Sequence, residues 1–268
     1  MPRRVTYAIG DIHGRLDLVA AALEAIGEHH GPDGRRIVFL GDYVDRGPDS
    51  RAVVELMMSF EADPGVVCLK GNHEALMLKA LDRPHSSEMQ HWLRLGGRQT
   101  LESYGVDEAD EDVRDKVPAA HLSWMTRLPL TSGDPHRIYV HAGLHPDAVF
   151  ERQQEEHCLW IRERFLDAPA GSFDRHIVHG HTPLWRDKPE PAEPEILAHR
   201  TNLDTGAYMT GLLTVGVFPE DRPGGPEALI RIRSDAGGVE AELVPAGPAV
   251  AEAQSAPARK GWRKLIGL

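Results

Sequence analysis

Three segments of the chain repeat one plan: a β-rich apolar run, a glycine loop carrying acids or imidazoles, then a helical pattern. They are VTYAIGDIHG before LDLVAAALEAIG, RIVFLGDYVDRG before SRAVVELMMSF, and VVCLKGNHE before ALMLKALD. Strands that alternate with helices in this way predict a layered α/β fold with a largely buried sheet. Ligands bind such sheets at the carboxyl ends of the strands, where these three loops fall. Residues 82–130 read as mostly helical and contain HWLRLGGRQTLESYG. Beyond them RIYVHAGL, HIVHGHTPL, RTNLDTGA and TGLLTVGVF read as the strands and turns of a second sheet.

Composition narrows the class. A chain of 268 residues can bury a full core. The division expected is one domain over 1–244, with 82–130 its helical cap region, and an Ala/Pro linker with a short basic amphipathic tail over 245–268. In that tail KGWRKLIGL places Trp262, Leu265 and Ile266 beside Arg263 and Lys264. We read it as a frayed terminus in preference to a docking helix. WRDKPEPAEPEIL reads as a Pro/Glu-rich surface loop. A formal net charge of -11 argues against nucleic-acid or stable membrane association, because such partners need clustered Lys and Arg. Phosphate chemistry must then bring its own local positive charge. Two cysteines, Cys68 and Cys158, sit in apolar surroundings and read as reduced core residues. With no run of signal-peptide character near Met1, the expected location is cytoplasmic.

The strand-end loops carry Asp11 and His13, Asp42 and Asp45, and Asn72 and His73, and later strand ends add His141 and His181. Carboxylate, amide oxygen and imidazole are ligands for divalent metals. Two ions roughly 3.5–4 Å apart can clamp the attacking and leaving oxygens of a phosphoryl transfer, provided one carboxylate bridges them.

GDIHG (10–14), GDYVDRG (41–47), GNHE (71–74), HAG (141–143) and GHT (180–182) resemble, in order, five signature blocks of the calcineurin-like metallophosphoesterases, in the phosphoprotein phosphatase branch. The resemblance runs from about residue 5 to 217, and the gaps between the first three blocks each hold one helix and one strand. It implies an α/β fold: a four-layer α/β/β/α sandwich of two mixed β-sheets flanked by helices, with a helical cap insertion. It also implies that Asp11 and His13 hold a first metal, that Asp42 bridges, and that Asn72, His141 and His181 complete a second site. His73 matches the imidazole that protonates the leaving oxygen, Asp45 the carboxylate that orients it, and Arg46 a guanidinium gripping the phosphate. CLWIRERF resembles the LW-x-R block of bacterial and phage members, so Arg162 is preferred over Arg164 as the second phosphate arginine. The implied reaction is direct attack by a hydroxide bridging two divalent ions, with manganese expected and iron or zinc compatible.

Other residues carry plainer readings. Asp17 reads as the cap of the first helix, and Asp49 or Ser50 as the cap of the second. Glu74 divides evenly between complementing a helix dipole and supporting the site. His179 reads as outside the metal shell, and His29, His30, His136 and His145 as structural. DEADEDVRD (107–115) reads as a solvated acidic face. The block with Arg94, Gly96, Gly97, Arg98 and Thr100 divides evenly between shaping the substrate pocket and mere structure, while Asp204 and Tyr208 are weaker candidates near the cleft. Three functions compete: a phosphatase of phosphoserine or phosphothreonine in proteins, which is preferred; a dinucleoside polyphosphate hydrolase such as a diadenosine tetraphosphatase; and a non-catalytic regulatory module. The partner expected is a phosphorylated protein or small phosphorylated substrate.

Overall fold

Alternation along the strands fixes which side each residue faces. In a computed structural model that describes residues 4–30, 34–110, 112–184 and 193–247, β1 (Val5–Ile9) sends Tyr7 and Ile9 into a core shared with helices. It sends Ala8, between them, into a core shared with another sheet. This is the period of two that a strand buried on both faces imposes. After β1 the chain enters α1 (Leu16–His29), whose buried positions Leu18, Val19, Ala22 and Ile26 form one stripe. The same step recurs with β2 (Arg35–Phe39), α2 (Ser50–Ser59), β3 (Val66–Cys68) and α3 (Asn72–Leu81). The three strands are parallel, as crossover helices require.

Residues 82–130 hold α4 (Ser87–Trp92), a π-helical turn (Leu93–Gly97), α5 (Arg98–Tyr104), α6 (Val113–Lys116) and α7 (Ala119–Arg127). Trp92, Leu101, Leu122 and Met125 join the core of α1–α3, so this cap is packed on the helical face of the first sheet. A second sheet follows, built from β4 (Thr131–Gly133), β5 (Arg137–Val140), β6 (His176–His179), β7 (Glu195–Ile196) and β8 (Arg200–Asn202), in the order β4-β5-β6-β8-β7. Its outer face packs Ile138, Val140 and Ile177 against Cys158 of α8 (Glu155–Trp160) and Phe165 of α9 (Glu163–Leu166). Its inner face packs Tyr139 and Val178 against Ala8, Val38 and Leu40. Helices, sheet, sheet and helices make the four layers of the sandwich.

One expectation is corrected. TGLLTVGVF does not belong to the second sheet. After α10 (Ala207–Thr210) it forms β9 (Leu212–Pro219), antiparallel to β1 with Ile9 opposite Val215. Followed by β10 (Ala228–Asp235) and β11 (Gly238–Pro245), it extends the first sheet to the order β11-β10-β9-β1-β2-β3. The reason is burial: every residue of β9 is buried, with Leu213, Val215 and Val217 facing the helices and Phe218 the other sheet. Beside β1, between the helices and the other sheet, both of its faces are covered. Residues 185–192 of the Pro/Glu-rich loop and the linker and tail from 248 onward lie outside the described residues. Among the described residues no helix is long and apolar enough to cross a membrane.

Candidate metal centre

The loops that leave β1, β2, β3, β5 and β6 converge at one end of the two sheets. Their backbones are strained. His13, Asp42, Asp45, Arg46 and His181 all have positive φ, between 47° and 74°. A side chain in that region costs about 1–2 kcal/mol, and such residues persist where surrounding contacts fix them. Here they are fixed: the Asp42 carbonyl accepts the amides of Ile12 and His13 at 3.2 and 2.8 Å, joining the first loop to the second. Glu74 accepts the amides of Asp42, Tyr43 and Val44 at 3.0, 2.8 and 3.3 Å, and that of Gly71 at 2.8 Å. The two sheets are joined by Asp11, whose carboxylate accepts the His181 amide at 3.1–3.2 Å. Gly180 must be glycine for this, since a Cβ there would lie 2.0 Å from Asp11 Oδ1.

Six buried side chains, Asp11, His13, Asp42, Asn72, His141 and His181, face one another inside this frame. Ligand atoms of Asp11, Asp42 and His141 lie within 4.8 Å of one another, as do those of His13, Asp42 and His73. Asp42 is common to both groups, and Asp11 groups with His141 rather than with His13. The tautomers follow from the hydrogen bonds. His13 Nδ1–H donates to the Val44 carbonyl and His141 Nδ1–H to the Leu40 carbonyl, each at 2.9 Å. Both Nε2 atoms therefore present lone pairs to the centre. Burial lowers the pKa of His141, and burial followed by the Arg46 charge lowers that of His13, so both rings stay neutral at pH 7.

The His141 Nε2 lone pair then faces Asn72 Oδ1 at 2.8 Å and Asp42 Oδ1 at 3.4 Å, acceptor against acceptor. His181 Nδ1 also approaches Asn72 Oδ1 at 2.8 Å, and its buried Nε2 has no hydrogen-bond partner among the described residues. Burial, then Asp204 and Asp42, push the Asp11 carboxyl well up. Oxygen and nitrogen acceptors crowded in this way fit divalent cations and little else.

Beside this cluster His73 Nδ1–H donates to Asp45 Oδ2 at 2.6 Å, both side chains being buried. Arg46 divides its guanidinium between His13 Nε2 and His73 Nε2, at 2.9 Å each, and lies over the Tyr208 ring at 4.8 Å. Arg162 donates to Thr182 Oγ1 at 3.1 Å, next to His181, whereas Arg164 pairs with exposed Asp147. Trp160 stands at the lip, edge-on to His181 at 6.4 Å and 40% exposed. Asp204 is buried near the centre, and burial, against the Gly206 amide, raises its carboxyl to about 6.

Several sequence expectations change. Asp17 does not cap α1 but pairs with Arg15 at 2.7–2.9 Å, and Asp49 makes no side-chain cap on α2. Ser50 accepts the Asp45 amide at 3.0 Å, so its hydroxyl serves the loop instead of the helix. Glu74 fills both of its readings: it accepts the Gly71 amide at the N-terminus of α3 and the amides of Asp42, Tyr43 and Val44 in the neighbouring loop. His179 turns away, with Nδ1–H donating to Gly180 O at 3.1 Å and its ring against Phe165. The double-glycine block brings partners to Asp45: Trp92 Nε1–H reaches it at 2.9–3.0 Å and Thr100 donates to it at 2.6 Å. Trp92 had no reading of its own. The tryptophan and threonine flanking LRLGGRQ were its available signal.

The family model described as calcineurin-like phosphoesterase matches residues 5–209. A relative named serine/threonine-protein phosphatase 1, from Salmonella typhimurium, is 30% identical over 220 residues, spanning 79% of this chain and 91% of its own. Another, named bis(5'-nucleosyl)-tetraphosphatase PrpE (asymmetrical), from Anoxybacillus flavithermus, is 28% identical over 234 residues, spanning 79% and 89%. Among solved structures, a protein serine/threonine phosphatase from Saccharomyces cerevisiae aligns with a TM-score of 0.52 at 15% identity, over 93% of this chain and 82% of that one. That last likeness is one of fold.

Proposed function

We infer the reaction from the premise that this chain belongs to the calcineurin-like phosphoesterase family: we propose a metal-dependent phosphatase whose substrates are phosphate monoesters, foremost phosphoserine and phosphothreonine in proteins. In this reading Asp11, His13, Asp42, Asn72, His141 and His181 would hold two divalent ions, Asp42 being the carboxylate common to both groups of converging ligand atoms. Bound there, two such ions supply positive charge to the phosphoryl oxygens and acidify water.

The remaining work falls to this chain's own side chains. Arg46 and Arg162 grip the phosphoryl oxygens from two sides as charge-assisted donors. To do so Arg46 leaves His73 Nε2, which frees that nitrogen to carry a proton. As water adds to phosphorus and the bond to the leaving oxygen breaks, His73 Nε2 gives that oxygen its proton, while Asp45 holds Nδ1–H and steadies the ring.

The observation that carries the monoester reading is the buried 2.6 Å pair of His73 and Asp45. An oriented proton donor matters most when the leaving group is a strong base. The alkoxide of serine or threonine is one, and the phosphate leaving group of a dinucleoside polyphosphate is far weaker. The relative named as a serine/threonine phosphatase agrees with this choice. A second reading, dinucleoside tetraphosphate hydrolysis, is supported by the relatives named for it and by the exposed face of Trp160, which offers a nucleobase a place to stack. The test is turnover by metal-stripped protein reconstituted with Mn²⁺, followed as phosphate release from a phosphothreonine peptide and as nucleotide products from diadenosine tetraphosphate. Faster turnover of the peptide is expected. Preference for the dinucleotide, with either ADP or ATP and AMP as products, replaces the first reading with the second.

A further inference from the structure

Asp45 is completely buried, and its carboxylate is shared three ways. His73 takes Oδ2, the Trp92 indole N–H reaches both oxygens at 3.0 and 2.9 Å, and the Thr100 hydroxyl donates to Oδ1 at 2.6 Å. The Asp45 amide in turn meets Thr100 Oγ1 at 2.8 Å. Both partners come from the cap: Trp92 ends α4 and Thr100 lies in the first turn of α5. The π-helical turn between them touches the same loop, because the Arg46 amide donates to the Gly96 carbonyl at 3.2 Å. That turn is built for close approach. A Cβ on Gly96, whose φ is 119°, would lie 2.6 Å from the Arg46 nitrogen, and one on Gly97 2.5 Å from the Trp92 ring. The cap is therefore seated on the Asp45–Arg46 peptide.

We propose that Trp92 and Thr100 are positioning residues for proton donation: they lock the Asp45 carboxylate so that Oδ2 meets His73 Nδ1 and Nε2 is aimed at the leaving oxygen. The proposal rests on the reading above, in which His73 is the proton donor. The physical basis is that the terminal torsion of an aspartate is broad and roughly two-fold. A carboxylate bonded to one imidazole can swing, whereas donors arriving on both oxygens from a separate element hold one orientation. Thr100 spends its hydroxyl on Asp45 and not on its own helix, and Trp92 is fully buried with its only polar atom on the same group. A tryptophan buried merely as core filling needs some partner for its N–H. It does not need the carboxylate behind the proton donor.

A mispositioned proton donor penalises strongly basic leaving groups selectively, because an alkoxide needs the proton as the P–O bond breaks and p-nitrophenolate leaves without it. The test compares kcat on a phosphothreonine peptide with kcat on p-nitrophenyl phosphate for Mn²⁺-loaded wild type, Thr100→Val, Thr100→Ser, Trp92→Phe and His73→Asn. Thr100→Val and Trp92→Phe should each lower kcat on the peptide about 10-fold, the scale seen when a supporting partner is removed. On the aryl substrate both should stay within about 2-fold of wild type, with KM unchanged. Thr100→Ser, which keeps the hydroxyl, should restore peptide turnover. Equal losses on both substrates in a variant with a wild-type unfolding midpoint overturn the positioning role. If His73→Asn depresses peptide turnover selectively and neither cap variant does, the positioning role alone fails. If His73→Asn also leaves the ratio of the two rates unchanged, the proton-donor reading fails, and the proposal with it.

Discussion

His73 is the residue on which the proposed chemistry turns. Its Nδ1–H is committed to Asp45, and its Nε2 accepts an N–H from Arg46. We expect His73→Asn to keep its bound metal, measured by elemental analysis, while turnover of a phosphothreonine peptide falls by about 10²-fold or more, the scale of general acid catalysis. The two arginines separate as sharply. Arg162 lies against Thr182 beside His181, and Arg164 sits in an exposed ion pair that contributes little. Arg162→Ala should raise KM about 10-fold, as loss of a charged hydrogen bond does, with Arg164→Ala indistinguishable from wild type in steady-state kinetics. An unchanged KM for Arg162→Ala with a raised one for Arg164→Ala would reverse the assignment.

At the scale of elements, the site depends on loops meeting closely. Gly180→Ala would thrust a methyl into the Asp11 carboxylate that ties β6 to β1. The expected outcome is loss of metal binding together with about 1–3 kcal/mol of stability, as for overpacked interiors, read by metal titration and urea unfolding. These loops were legible in the sequence because each carries its chemistry within a few residues, GDIHG, GDYVDRG and GNHE being local statements about a strand end. Two things were not. The sheet that β9 joins is decided by which faces need covering, and the sequence order of strands does not encode that. The partners of Asp45 arrive from Trp92 and Thr100, 47 and 55 positions away, and short motifs cannot express such a distance. Ser50 shows the same limit from the other side. It had the right residue type for a cap at the right place, yet the neighbouring loop offered its hydroxyl a better buried partner.

The whole molecule should be acid-sensitive. His176 is buried at the start of β6, with Nε2 near Thr201 Oγ1 at 2.9 Å, and burial pushes its pKa down to about 4. Unfolded, the ring titrates near 6.5. Between these values the unfolded chain binds a proton that the folded chain refuses. Stability therefore falls as the pH drops from about 6.5 to about 4, by about 1.4 kcal/mol per unit from this group. His176→Asn should flatten that slope relative to wild type, a difference that urea midpoints at pH 7 and pH 5 will show. An identical slope in the variant would exclude the ring as its source. Glu74 has a consequence for transplanting such a site. Its carboxylate gathers amides from the loop after β2 and from the turn that opens α3, so the two loops form a single part although α2 and β3 intervene in the chain. A chimera that borrows GDYVDRG from a relative and keeps its own third block inherits ligands without the anchor that shapes them. Exchange of this chemistry between scaffolds, by engineering or by recombination, should succeed only when both loops travel together.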